Sequence, residues 1–249
     1  MKFTVITACY NSAATIVHSL HSVNHQTHPF LEHVVVDGGS TDGTQDLVCQ
    51  YGARVSLLVS EPDQGIYDAL NKGIRIAQGD AIGFLNADDR YAHPEVLAVV
   101  AAQMEAEGLD ALFGDVAFFH AQAPDRLVRR YSSARFTPER IGWGWMPAHP
   151  ALFVRRDIFQ RVGEFRTNYQ IAGDYEWIAR AFQSGALRYK YRPEVLVHMQ
   201  TGGISTQGWR STVLLNREVM RACRDNGIAT NWFKILSKYP FKLWEYVRP

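Results

Sequence analysis

The stretch GDAIGFLNADD, Gly79 to Asp89, decides how this chain is read. An apolar run from Ala81 to Leu85 stops at Asn86, and two adjacent acids, Asp88 and Asp89, follow. A short apolar run bounded by polar residues reads as a buried strand. Paired carboxylates at the end of such a strand repel one another, and a buried charge is costly unless something offsets it. Hard cations supply that offset. Mg²⁺ sites commonly combine one or two carboxylates with substrate phosphates. The stretch therefore predicts a buried strand that delivers a divalent cation, Mn²⁺ or Mg²⁺, to a diphosphate-bearing ligand.

Three similar runs precede it, at Phe3–Ala8, His33–Gly39 and Arg54–Ser60. Helical patterns lie between them: residues 12–25 with Ser12 as N-cap, Asp42–Tyr51, and Tyr67–Gln78 with Leu70, Ile74 and Ala77 on one face. Pro94 opens a further helix through Met104. This alternation predicts an α/β fold with a mostly parallel central sheet flanked by helices. Ligands of such sheets bind beyond the carboxyl ends of the strands. A polar cluster follows each of the four runs: Tyr10-Asn11, DGGSTDGT (Asp37–Thr44), EPDQGIYDALNKG (Glu61–Gly73) and NADD (Asn86–Asp89). Each alone could be a capped turn; together they predict one crevice.

The second half has a different grain. Leu112–His120 reads as a strand, residues 123–136 as a loop or edge hairpin, and Gly142–Pro150 as a Gly/Pro/Trp-rich loop. Asp174–Gly185 and Gly208–Gly227 read as helices. The expected division is a donor-binding half at 1–110, an acceptor and catalytic half at 111–207, and a C-terminal helix with an aromatic-basic tail at 208–249.

Composition narrows the function. With 249 residues, 47% hydrophobic and 20% charged, the chain can bury a large core. A net charge of +1 provides no field for nucleic acid, so none is expected as a partner. Cys9, Cys49 and Cys223 are scattered without a C-x-x-C, which argues against a disulfide framework or zinc site and favours a cytoplasmic location. No apolar run approaches the roughly 20 residues needed to span a bilayer. There is no G-x-x-x-x-G-K-[ST] P-loop, and CYNSAAT after the first run lacks the dinucleotide G-x-G-x-x-G.

VITACYN, VVVDGGSTDGT, EPDQGIYDALNKGI, GDAIGFLNADD and AGDYEWIAR stand in the order of the family 2 glycosyltransferases of GT-A fold, which the chain resembles over about residues 1–205. IYDALNKGI and MPAHPALFVRRDIF are similar to the bacterial branch that builds exopolysaccharide and lipopolysaccharide units. The resemblance implies an inverting transfer from a nucleotide-sugar donor, most often a UDP-sugar, to a glycan or lipid-linked saccharide. It implies that Ala8, Tyr10 and Asn11 line the donor pocket and that Asp37 hydrogen-bonds the base. Asp63, Gly65 and Asn71 would line the base and sugar-phosphate side. Asp88 matches the metal-binding acid, with Asp89 and His198 as further candidate ligands. Asp174 matches the catalytic base, and Glu176 is its alternative on the acceptor side. His149 matches a position near the acceptor mouth. The chain departs from the family pattern twice: Asn86 stands where the first acid of the D-x-D touches the ribose, and Gly173 stands where a glutamate precedes the base.

The last residues, NWFKILSKYPFKLWEYVRP (Asn231–Pro249), interleave aromatic and basic side chains. That composition suits the interface of an anionic membrane leaflet, which would make the protein peripheral on the inner face of the cytoplasmic membrane. It equally suits docking on the core. Two other functions fit parts of the pattern. A sugar nucleotidyltransferase would want a Gly-rich, basic loop after the first strand. A non-catalytic nucleotide-sugar- or carbohydrate-binding protein of the same fold would tolerate Asn86 and Gly173.

Overall fold

The computed structural model describes residues 1–202, 208–237 and 239. In chain order the elements are β1 (Phe3–Cys9), α1 (Ile16–Asn24), β2 (Leu31–Asp37), α2 (Thr44–Tyr51), β3 (Val55–Ser60), α3 (Ile66–Ile76), β4 (Ala81–Phe84), β5 (Arg90–Tyr91) and α4 (Val96–Glu107). They continue with β6 (Ala111–His120), β7 (Ala123–Tyr131), β8 (Leu152–Arg155), α5 (Arg156–Val162), α6 (Gly173–Phe182), β9 (Tyr189–Gln200), α7 (Trp209–Asp225) and α8 (Trp232–Leu236).

One sheet runs through both halves in the order β3-β2-β1-β4-β8-β6-β9-β5, with β7 hairpinned onto β6. The strands β3, β2, β1 and β4 are mutually parallel. Their carboxyl ends therefore share an edge, which is what gathers the four polar clusters. β8 is antiparallel to both β4 and β6, and β6 runs parallel to β9. Every residue of β1 is buried, because helices cover both faces. On one face Ile6, Val34 and Val36 pack with Leu70 and Ile74 of α3 and with residues of α5, α6 and α7. On the other, Phe3, Val5, Ala81 and Leu85 pack with Val96, Leu97 and Val100 of α4. The α3 face follows from its spacing: Tyr67, Leu70, Asn71 and Ile74 recur at helical intervals and are all buried.

The structure differs from the sequence reading at two points, the first helix start and the strands β8 and β9. Ser12 does not cap the first helix, which starts at Ile16. Its carbonyl accepts from the backbone N–H of Thr15 (3.0 Å) and Ile16 (2.9 Å) in the preceding turn, and its own N–H donates to Thr44 Oγ1 at 2.8 Å. Residues 123–131 form the outer strand of a hairpin with β6, the edge-hairpin alternative of the sequence reading. β8 and β9 were not anticipated: β8 emerges directly from the Pro-rich loop, and β9 carries Pro193 and alternating charges that mask its pattern.

Candidate functional site

The shared strand edge opens into a crevice of about 650 Å³, a volume within the usual range for small-ligand sites. Ala8, Tyr10 and Asn11 form its β1 side, Asp63 and Gly65 its β3 side, and Asn86, Asp88 and Asp89 its floor beyond β4. Gln170 and Ile171, ahead of α6, and Met199 and Gln200, at the end of β9, close the remaining wall. The loops are held by short-range bonds. Asn11 adopts a left-handed backbone (φ 48°), its N–H donates to Ser40 Oγ at 2.7 Å, and its Oδ1 accepts from the N–H of Thr41 at 3.0 Å. Asp63 accepts from the N–H of Gly65 at 2.8 Å. It lies so close to Gly38 that a Cβ there would come within 2.5 Å of Asp63 Oδ2, so a side chain at that position would make the Asp63 carboxylate shift.

Asp88 and Asp89 behave as an uncompensated pair. Burial raises the Asp88 carboxyl. Asp89 is raised well above the ordinary carboxylate range, first by burial and then by the charge of Asp88. Two donors work against this: Asn86 Nδ2 reaches Asp89 Oδ2 at 3.0 Å and the N–H of Gln200 reaches Oδ1 at 3.2 Å. No group of three or more His, Cys, Asp or Glu side chains that could hold a metal occurs among the described residues. The donor set is thus two carboxylates facing an open crevice. That fits a hard cation completed by ligand oxygens, and not a self-sufficient protein site.

Asp174 lies just behind this wall, in the first turn of α6. Its carboxyl is raised mainly by burial, and the nearby His149 opposes the shift. Its Oδ1 accepts from the N–H of Tyr175 at 2.8 Å and faces the Tyr67 hydroxyl at 3.4 Å. The same hydroxyl donates to the Ile171 carbonyl at 2.7 Å. His149 stacks on Phe84 with ring centroids 5.0 Å apart, and its Nε2 is enclosed without a partner.

Four expected site residues are placed elsewhere. Asp37 is fully buried beneath the crevice. Its oxygens accept from Ser60 Oγ (2.6 Å), Gln45 Nε2 (3.0 Å) and both the N–H (3.0 Å) and the hydroxyl of Ser40, which leaves little acceptor capacity for a base. Asn71 is buried and clamps a loop: its Nδ2 donates to the Phe165 carbonyl at 2.8 Å and its Oδ1 accepts from the Phe165 N–H at 2.9 Å. Glu176 is fully buried, bound by Arg180 at 3.1 and 3.0 Å and approached by Arg166 at 3.3 Å, and it is not among the residues lining the crevice. His198 sits beside Arg90 and His93, which together with burial lower its pKa, and it does not line the crevice.

Two residues that sequence reasoning passed over hold the site together. Tyr67 is one. Glu218 of α7 is the other: its Oε1 accepts from the N–H of Gln170 (2.8 Å), and its Oε2 accepts from those of Ile171 (2.9 Å) and Ala172 (2.8 Å). The Ala172 N–H is the cap donor that a helix N-terminus leaves unpaired, and the N–H groups of Gln170 and Ile171 belong to the turn leading into it. Nothing local in the sequence signals a partner 46 to 48 positions away.

At the far end, α8 buries Ile235 and exposes Trp232, Phe233 and Leu236, and the Lys234 ammonium lies 5.5 Å from the centre of the Trp143 ring. Lys238 and residues 240–249 of the aromatic-basic tail, and the segment 203–207 after Gly202, lie outside the described residues. Among the described residues no helix is long and apolar enough to cross a membrane.

Comparison with known proteins agrees with this geometry. The family model described as Glycosyl transferase family 2 matches residues 4–163. The chain is 30% identical to a PGL/p-HBAD biosynthesis glycosyltransferase of Mycobacterium tuberculosis over 223 residues, covering 88% of this chain and 82% of that protein. It is 32% identical to glycosyltransferase AglE of Haloferax volcanii over 190 residues, covering 73% of this chain and 61% of AglE. Among solved structures it is similar to S. aureus TarS in complex with UDP-GlcNAc (TM-score 0.70, 22% identity, 89% of this chain and 66% of that one). It is also similar to the mannosyltransferase PcManGT of Pyrobaculum calidifontis in complex with GDP-Man and Mn²⁺ (TM-score 0.63, 23% identity, 88% and 64%). The strand-edge crevice, the GT-A architecture and these matches lead to one conclusion: the chain belongs to glycosyl transferase family 2 and is a glycosyltransferase.

Proposed function

We propose that this glycosyltransferase moves a sugar from a nucleotide-diphosphate donor, a UDP-sugar by preference, to a hydroxyl of a glycan or lipid-linked saccharide, with inversion at the anomeric carbon. One observation carries the reading: a single crevice is lined both by the Asp88–Asp89 pair and by Tyr67, whose hydroxyl faces Asp174. The nucleotide lies along Ala8–Asn11 and Asp63–Gly65. Asp88, with Asp89, holds Mn²⁺ or Mg²⁺, which when bound supplies charge neutralisation for the donor diphosphate. Asn86 offers its amide to a ribose hydroxyl. Asp174 takes the proton of the acceptor hydroxyl as that oxygen attacks the anomeric carbon, and the nucleoside diphosphate leaves with the electron pair of the broken bond. A positioned base of this kind contributes about 10²–10⁴-fold. The raised Asp174 carboxyl suits the role, because a stronger base takes the proton more readily once ionised. His149 borders the base from the acceptor side.

A UDP-GlcNAc complex of a similarly folded protein supports the choice of a UDP-sugar, and an Mn²⁺ complex of another supports the metal. The exposed Trp232, Phe233 and Leu236 with Lys234 support contact between residues 231–249 and a membrane bearing a lipid-linked acceptor. Flotation with anionic liposomes, with and without that segment, tests the contact.

The central experiment incubates the protein with nucleotide sugars, Mn²⁺ or Mg²⁺ and saccharide acceptors, and measures nucleoside diphosphate release. Release is expected to fall at least about 100-fold in Asp174→Asn and in Asp88→Asn. Glu176→Gln is expected to lower stability while retaining turnover. If Asp174→Asn kept its activity and Glu176→Gln lost it without unfolding, the assignment of the base would fail.

A further inference from the structure

Gly173 needs no glycine for its own backbone, since it sits in the first turn of α6 without a positive φ. What excludes a side chain is Tyr67. A Cβ on Gly173 would lie 2.7 Å from both Cε2 and Cζ of the Tyr67 ring and 2.8 Å from Cδ2. The ring thus occupies the space that a side chain next to Asp174 would use. It is held there on several sides. Phe165 packs against it at 5.8 Å between ring centroids, and Phe165 is itself pinned through its backbone by Asn71, one turn further along α3. The Tyr67 hydroxyl is anchored at 2.7 Å to the Ile171 carbonyl, whose residue is tied by its N–H to Glu218. From that anchored position the same hydroxyl faces Asp174 Oδ1 at 3.4 Å.

We infer that Tyr67 is the positioning residue of the catalytic base: packed on Gly173, it shares its hydroxyl proton between the Ile171 carbonyl and Asp174 and fixes the carboxylate toward the acceptor. The inference rests on the reading of Asp174 as base. Tyr67 lines the crevice while Asp174 stands behind it, so Tyr67 is the contact through which the wall of the site reaches the base. Burial pushes the phenol far up, so it stays a neutral donor throughout the working range of pH. The titratable groups that face this pair are few. His149, from the turn before β8, faces Asp174, and Glu218, from α7, faces Tyr67.

The test is a double-mutant cycle of Tyr67→Phe and Gly173→Ala, read by nucleoside diphosphate release from the best donor over a range of pH, with Asp174→Asn as control. Tyr67→Phe keeps the ring and removes only the donor. It is expected to lower kcat about tenfold, the effect of one hydrogen bond to a charged group, with the donor KM within about twofold. The acid limb of its kcat/KM profile should move to higher pH, because an ionised Asp174 has lost a donor. Gly173→Ala should displace the ring and lose a similar factor. The double variant should be no worse than the poorer single, since both changes act through one contact. An unshifted acid limb in Tyr67→Phe, or losses that multiply in the double variant, would overturn the inference. If Asp174→Asn is inactive, that result leaves the base in place and removes Tyr67 alone; if Asp174→Asn is active, it is the base itself that fails.

Discussion

Replacing Glu218 with alanine tests whether α7 holds the catalytic segment. The carboxylate is buried and accepts three backbone N–H groups, from Gln170, Ile171 and Ala172, at 2.8, 2.9 and 2.8 Å. Hydrogen bonds to a charged group are worth about 1.5–3 kcal/mol each, and donors left buried and unpaired cost about 1–3 kcal/mol. The three share one side chain and one helix end, so they do not add fully, and water can enter the space left by the truncation. A loss of about 3–5 kcal/mol is therefore expected, within a typical total of about 5–15 kcal/mol, so the variant folds but is markedly weaker. Glu218→Gln keeps one oxygen for Ile171 and Ala172 but turns a donor toward the N–H of Gln170; a loss of about 1.5–3 kcal/mol is expected. Urea unfolding at constant m-value measures both. Hydrogen exchange should accelerate first at Gln170–Ala172, because that backbone loses its acceptors. Activity should fall with it, since the Ile171 carbonyl anchors Tyr67 and so, in turn, Asp174. A Glu218→Ala protein within about 1 kcal/mol of the parent, with unchanged exchange at those amides, would refute the latch.

Asn71→Ala should cost about 2–5 kcal/mol, because both Phe165 backbone groups lose their partner in a buried site, while nucleoside diphosphate affinity stays within about twofold; a large loss of affinity with intact stability would return Asn71 to the donor pocket. The Asp88–Asp89 pair makes stability depend on pH in a defined direction. Asp89 is raised in the folded state, so its contribution is fully present below the unfolded carboxylate pKa and is lost as pH rises through the folded value. Metal-free protein should accordingly melt higher at weakly acidic than at neutral pH relative to Asp89→Asn, which lacks the Asp89 part of this dependence. Mn²⁺ at about 100 times its Kd should add about 2.7 kcal/mol at neutral pH to the parent only. Identical pH and Mn²⁺ responses of the two proteins would exclude the pair as the metal site.

The legibility of this chain in its sequence divides by range. The crevice was readable because a parallel sheet turns local signals into a shared location. Each polar cluster directly follows its strand, and parallel pairing of β3, β2, β1 and β4 aligns their ends. The partners of Asp37, Asn71 and Glu176 were not readable, although their positions in the motifs were. A carboxylate or carboxamide at a strand end or on a helix face looks the same whether it meets a ligand or a backbone loop. Phe165 lies 94 positions from Asn71, and Arg166, which approaches Glu176, belongs to a loop without periodicity. Asp37 differs in that its partners are close at hand. Ser40 lies inside the motif that suggested a ligand and Gln45 directly after it, and both donate to the carboxylate. β9 escaped because Pro193 and alternating charges obscure a strand whose main value here is to bring the Gln200 N–H onto Asp89.

The two departures from the family pattern have structural counterparts that make them choices of the fold. An acid at position 86 would remove the amide that reaches Asp89 at 3.0 Å and would set a third carboxylate against a pair already raised by burial and, at Asp89, by the charge of Asp88. Asn86 therefore lowers the cost of holding Asp88 and Asp89 together when no cation is bound, at the expense of field strength when one is. Gly173 follows the same logic on the other wall. A carboxylate there would crowd a buried Asp174 with like charge, whereas the Tyr67 ring fills the space without charge and brings a neutral donor to the base. In both places a charged group of the family pattern gives way to a neutral hydrogen-bond donor directed at the remaining acid. The acids that stay, Asp88–Asp89 on the crevice lining and Asp174 behind Tyr67, are raised by burial. A site assembled in this way holds less negative charge before it binds. A divalent cation, a diphosphate and an acceptor hydroxyl would then complete its electrostatics.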